Sequence, residues 1–141
     1  MKRDLMNHLH PVVAIAPQVA ADDAAIVGEV IDTKGHRGLC LVINTGTANA
    51  AAFNATVLLE ESDNADFSES NPVDDDQLNG TEALAGFTAD DDNSCRKLGY
   101  VGYKRYVRLT VTPTGNDADL PLSAVAVFGM SEQQPQPNPP A

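Results

Sequence analysis

Apolar positions recur at every second residue along much of this chain, and no stretch sustains the 3.6-residue period of a long helix. The clearest case is Lys97–Thr112 (KLGYVGYKRYVRLTVT), where Val107, Leu109 and Val111 alternate with Tyr106, Arg108 and Thr110. β-branched and aromatic residues at a period of two make a half-buried strand. Leu98, Tyr100 and Val101 precede it, and Gly102-Tyr103-Lys104 lies between the two runs as a short connection. The stretch is therefore predicted to be a β-hairpin deep in an antiparallel sheet.

The same pattern places the other elements. Ala24–Asp32 (AAIVGEVID) is predicted as the first strand, with a bulge at Gly28. Asp32–Gly38 has turn composition, and Leu39–Asn44 (LCLVIN), apolar on both faces, reads as a central strand covered on each side. Phe53–Glu60 alternates as a strand with one wet face, and Glu61–Thr81 is acidic and rich in turn formers, with Phe67 and Val73 as anchors. Asn79-Gly80 is a turn signal, Glu82–Thr88 returns apolar groups to the core, and Ala89–Ser94 is a second acidic turn. Leu120–Gly129 is predicted as a central closing strand. About seven short strands punctuated by Gly, Asn, Asp and Pro indicate an all-β fold, a single antiparallel β-sandwich of jelly-roll type.

Residues 1–23 read as an N-terminal arm, because Pro11 and Pro17 favour extended backbone while Val12, Val13 and Ile15 need cover, either against the arm's own domain or on a neighbouring subunit. The sandwich then occupies residues 24–129. Residues 130–141 form a proline-rich tail with polyproline-II tendency and nothing to bury.

Composition narrows the class of function. The 141 residues carry 20 carboxylates against nine Lys and Arg, a net charge of −11. That sign argues against nucleic acid and against an anionic membrane surface as partners. Two cysteines, Cys40 and Cys95, do not make a disulfide scaffold. No apolar run has the length of a membrane span or a secretory signal, so folding in a reducing cytoplasm is expected. Five of the nine basic residues, Arg96, Lys97, Lys104, Arg105 and Arg108, fall in or beside the predicted hairpin. They mark either a protein contact or a set of ion pairs to the acidic loops.

Candidate chemistry is sparse. There is no nucleophile elbow, phosphate loop, HExxH or paired CxxC. His8 and His10 are read as solvated arm residues and His36 as an exposed turn residue. The triplets Asp74–Asp76 and Asp90–Asp92 lack the alternating ligands and turning glycine of a calcium loop. No catalytic residue, metal ligand or cofactor site is assigned, and the chain is not expected to be an enzyme.

Gly99-Tyr100-Val101-Gly102 followed by Lys104–Val111 resembles a segment of a family of small tailed-bacteriophage proteins. Asp4-Leu5 with Pro11, Ile15 and Pro17 is similar to that family's opening. Val57–Asp63 (VLLEESD) resembles its strand and acidic Ser-Asp turn, and Pro121–Gly129 resembles its closing strand. The resemblance covers most of residues 4–129. It implies a virion structural protein encoded among head genes, a decoration or minor capsid protein on the outside of the shell. The implied partners are the major capsid protein and neighbouring copies, in a dimer or trimer assembled in the host bacterial cytoplasm. A tail or head–tail connector component, or a phage-surface adhesion or carbohydrate-binding module, stays open beside it. Expected contact residues are Leu5, Val12, Val13 and Ile15 of the arm, with Arg96, Lys97, Tyr103, Lys104, Arg105 and Arg108 of the basic stretch.

Overall fold

The computed structural model describes residues 3–140. Two antiparallel sheets pack face to face as a β-sandwich. The first has the strand order β1 (His10–Ala20), β11 (Leu120–Ser131), β4 (His36–Thr45), β9 (Cys95–Tyr100) and β7 (Leu78–Asn79). The second is built on β10 (Tyr106–Thr114) and β5 (Asn54–Ser62). Four two-residue strands extend it: β2 (Ile26–Val27), β3 (Ile31–Asp32), β6 (Asn71–Pro72) and β8 (Phe87–Thr88).

Period-two patterning decides which side of each strand is buried. Leu39, Leu41 and Ile43 of β4 face Leu98 and Tyr100 of β9 and Leu122, Ala124, Ala126 and Phe128 of β11 within the first sheet's inner layer. Val107, Leu109 and Val111 of β10 and Val57 and Leu59 of β5 supply the opposing layer, all of them buried as their alternation requires. Phe53, Phe87 and Ala85 close one side of this core.

Lys97–Thr112 is not a hairpin. β9 pairs with β4 and β7, whereas β10 pairs with β5, β2 and β3, so the chain passes from one sheet to the other through Val101–Arg105. The crossing is built around Tyr100. Its buried hydroxyl donates to Glu61 Oε2 at 2.7 Å and accepts from the Lys104 N–H at 3.0 Å. A Cβ at Gly102 would stand 2.5 Å from the Tyr100 ring, so any larger residue there would push the ring away from these hydrogen bonds. Two-residue loop chemistry and a sheet crossing look alike in sequence; the hydrogen bonds of one tyrosine decide between them.

The residues read as an arm are mostly a strand. His10–Ala20 pairs along β11 from His10↔Phe128 to Ala20↔Leu120, with irregular register on either side of Ile15. Ile15 is in the core and Val12 is half-buried, because pairing turns them inward. Pro11 and Pro17 are tolerated because β1 is an edge strand. The predicted strand Ala24–Asp32 is split at Gly28, whose N–H donates to Leu109 O of the second sheet at 2.8 Å. The next residue, Glu29, donates to Ala14 O of the first sheet at 2.8 Å. This segment stitches the two layers together.

Smaller differences follow from local capping and docking. Thr81 Oγ1 accepts from the Leu84 N–H at 3.1 Å and starts a one-turn helix, α1 (Glu82–Ala85), within the segment expected to return apolar groups to the core. In the tail, the Gln136 N–H donates to Asn7 O at 2.8 Å and the Gln136 side chain is buried, so both chain ends meet at one pole.

At Gly28 a Cβ would lie 2.5 Å from Ala14 O and 2.6 Å from Leu109 O, both main-chain atoms. Gly28→Ala should therefore destabilise the protein by about 2 kcal/mol or more, read as a lowered midpoint in chemical denaturation. Wild-type stability in this variant would show that the stitch is not closely packed.

Candidate functional site

The structure disperses the basic residues and neutralises most of them. Arg96 reaches Asp91 at 2.6 Å and lies over the Phe87 ring at 5.6 Å. Lys104 pairs with Asp63. Arg105 grips Asp32 through two bonds of 2.9 and 2.8 Å, and Arg108 pairs with Glu60 at 3.1 Å while covering Phe67 at 4.4 Å. Only one of these partners, Asp91, belongs to an aspartate triplet. Arg105 holds the Asp32 carboxyl below its usual range, and the Thr88 N–H does the same for Asp91. Four of the five basic residues of this stretch are therefore engaged in ion pairs, one of the two readings that the sequence left open.

The sequence's aliphatic residues are more informative. On the outer side of the first sheet, Pro11 and Val13 of β1 lie beside Val125 and Val127 of β11, then Cys40 and Val42 of β4, then Lys97 and Gly99 of β9. Val13 is 53% and Val125 37% exposed. LCLVIN is therefore central but covered on one side only. Among the described strand positions on this face there is no Asp or Glu, and Lys97 is its one charge. The outer side of the second sheet is different in kind: Thr56, Thr110 and Thr112 alternate with the Arg108–Glu60 pair.

Cys40 and Cys95 share the valine face on adjacent strands. Cys40 sits opposite Gly99 and Cys95 opposite Asn44, several residues apart, and both are free thiols. The four phenylalanines are all buried, so no aromatic platform stands on this face.

A second apolar region forms at the pole where the termini meet. Tyr103 is 93% exposed at the tip of the sheet crossing, yet the crossing is held by Tyr100, Lys104–Asp63, Arg105–Asp32 and the Thr33 N–H to Arg105 O bond of 2.8 Å. Leu5, Met6, Val101 and Met130 are exposed around the same pole. Of the expected contact residues, Leu5, Val13, Lys97 and Tyr103 are available; Val12 and Ile15 turn inward, and Arg96, Lys104, Arg105 and Arg108 are engaged.

Sequence reading missed the histidines. His10 is buried, not a solvated arm residue, and His36 is half-buried, not exposed. Their rings stack with centroids 5.2 Å apart, and His36 also stacks on Phe128 at 4.2 Å. His36 Nδ1 lies 2.6 Å from Ser131 Oγ, while His10 Nδ1 is buried with no hydrogen-bond partner. The cue was His36↔Ser131 pairing, which no local pattern reveals. Stacked rings do not converge their nitrogens on a point, and among the described residues no group of three or more His, Cys, Asp or Glu could hold a metal.

A cleft of about 730 Å³ opens between β5 and α1 and is lined by Glu82, Leu84, Phe87, Thr88, Asp91 and Arg96 among others. Its charged groups are already committed: Glu82 Oε1 accepts from the Leu59 N–H at 2.6 Å, and Asp91 pairs with Arg96.

No family model and no curated protein matches the chain. Solved structures do. The PBSX exported protein XepA is similar over 91% of this chain with a TM-score of 0.56 at 14% identity; this chain spans 39% of that one. The SPBc2 prophage-derived protein YomS is similar over 84% of this chain and 92% of its own, with a TM-score of 0.51 at 10% identity. These likenesses bear on the fold, which is shared without appreciable sequence identity.

The stacked imidazoles make stability depend on pH. Burial, then the neighbouring His10, hold His36 below its ordinary 6.5, against the pull of Asp32 and Glu132. The folded protein thus binds this proton less readily than the unfolded chain. The associated stability is complete above pH 6.5 and is lost as pH falls through the lowered folded value. The melting temperature should fall between about pH 7.5 and about pH 5, and the fall should shrink in His36→Phe. A pH-independent melting temperature over that interval would contradict the argument.

Proposed function

We propose that this chain is a structural protein of a tailed-phage particle, a decoration protein that binds the outside of the capsid shell and performs no reaction. The observation that carries this reading is a valine-lined sheet face with no carboxylate at its described strand positions, separate from a pole of exposed apolar side chains, on a chain of net charge −11. The face is that of the first sheet; the pole bears Tyr103 and Met130. A cementing protein must touch more than one neighbour, and many modest contacts add up over a symmetric shell. The likeness to the prophage-derived YomS and to XepA, an exported PBSX protein, supports a phage setting.

The partners on this reading are the major capsid protein and neighbouring copies. Tyr103 is the anchor toward the shell: a tyrosine offers large contact area at low entropic cost, and its rigid loop is already in place. Purified protein should co-sediment with shells of the phage that encodes it, at hundreds of copies per particle. Tyr103→Ala combined with Met130→Ser should weaken that binding at least tenfold without lowering the melting temperature. A handful of copies at one vertex would favour a head–tail connector instead, and no binding to shells would end the decoration reading.

A further inference from the structure

We infer that the valine face of the first sheet is the site where two copies of this chain pair, face to face, leaving the Tyr103 pole free for the shell. The inference rests on the reading of the molecule as a docking protein and adds which neighbour occupies which surface.

Charge is the first argument. Two molecules of net charge −11 repel one another over most of their surfaces. A basic partner would be drawn to the acidic loops, not to a face without carboxylates. A face whose described strand positions hold no carboxylate, and whose one charge is Lys97 on β9, is matched by a second such face, and another copy carries one. Aliphatic composition is the second argument, since Val13, Val125, Val127 and Val42 lie on three neighbouring strands.

Geometry supplies the third. Open sheet edges are the usual alternative route to self-association. Here β1 carries Pro11 and Pro17 with irregular pairing, and the opposite edge, β7, is two residues long. Pairing through edges is therefore disfavoured, and the face remains. With a two-fold axis along the seam between β4 and β11, β9 of each copy lies over β1 of the other. The two Lys97 charges then stand on opposite margins and reach solvent.

Four strands spaced about 4.8 Å apart and about eight residues long give a face of roughly 500 Å² per copy. Two such faces total about 1,000 Å², at the low end for a specific contact. The pair should therefore be weak and reversible, dissociating in the micromolar range, and useful when copies are already held side by side.

Sedimentation velocity of the full chain, from about 1 µM to about 1 mM, tests this. A concentration-dependent shift from monomer to dimer is expected. Raising the salt concentration should tighten the dimer several-fold, because screening removes repulsion between the acidic bodies. Val125→Glu, and independently Val13→Glu, should weaken it at least tenfold with the melting temperature preserved, whereas Tyr103→Ala should leave it unchanged. A monomer throughout the range, a dimer untouched by both valine variants, or a dimer that loosens in salt would overturn the inference. A monomeric wild type that still binds shells, and loses that binding in Val125→Glu, assigns the face to the shell protein; the decoration reading then survives and this one fails. If shells are not bound but the dimer forms as described, the opposite holds.

Discussion

The structure depends on changing sheets without stranding main-chain hydrogen-bonding groups in an apolar interior. An unpaired buried amide or carbonyl costs as much as a lost hydrogen bond, so each crossing has to satisfy its own backbone. At Gly28-Glu29 consecutive amides donate to opposite layers, one to Leu109 and the next to Ala14. At Val101–Arg105 the Tyr100 hydroxyl stands in for a missing strand by taking the Lys104 amide. Arg105 O meanwhile accepts from the Thr33 amide. These two crossings join the layers alongside the packing of the aliphatic core.

That dependence explains what the sequence disclosed. Strand faces were legible because burial acts on single side chains at a fixed period: Val107, Leu109 and Val111 could only point inward. The layered all-β class followed from them. Pairing partners were not legible, because Gly-Tyr-Lys suits a tight turn and a sheet crossing equally well. The arm failed for a related reason. Prolines at 11 and 17 bar a central strand but permit an edge strand, and only β11 alongside shows which applies.

The contact residues divide along the same line. Clustering of basic residues in sequence left a shared contact site open beside ion pairing. The sheet sends Arg96 and Arg108 to different layers, each with a carboxylate partner. The valine face escaped notice because Cys40, Val42, Val125 and Val127 looked like core on both sides of central strands. In an isolated sandwich the outer side of a sheet faces water, and aliphatic groups kept there are a surface property.

Both ends of the chain emerge at one pole, tied by the bond between Gln136 and Asn7. A tag joined through a short linker close to Asn7 or Gln136 would thus lie on the side of the molecule that bears Tyr103 and Met130. A label carried on the Thr47–Asn49 loop, which follows β4 at its far end, would leave that pole clear. Surface display on this scaffold is therefore an internal-loop problem, not a terminal-fusion one.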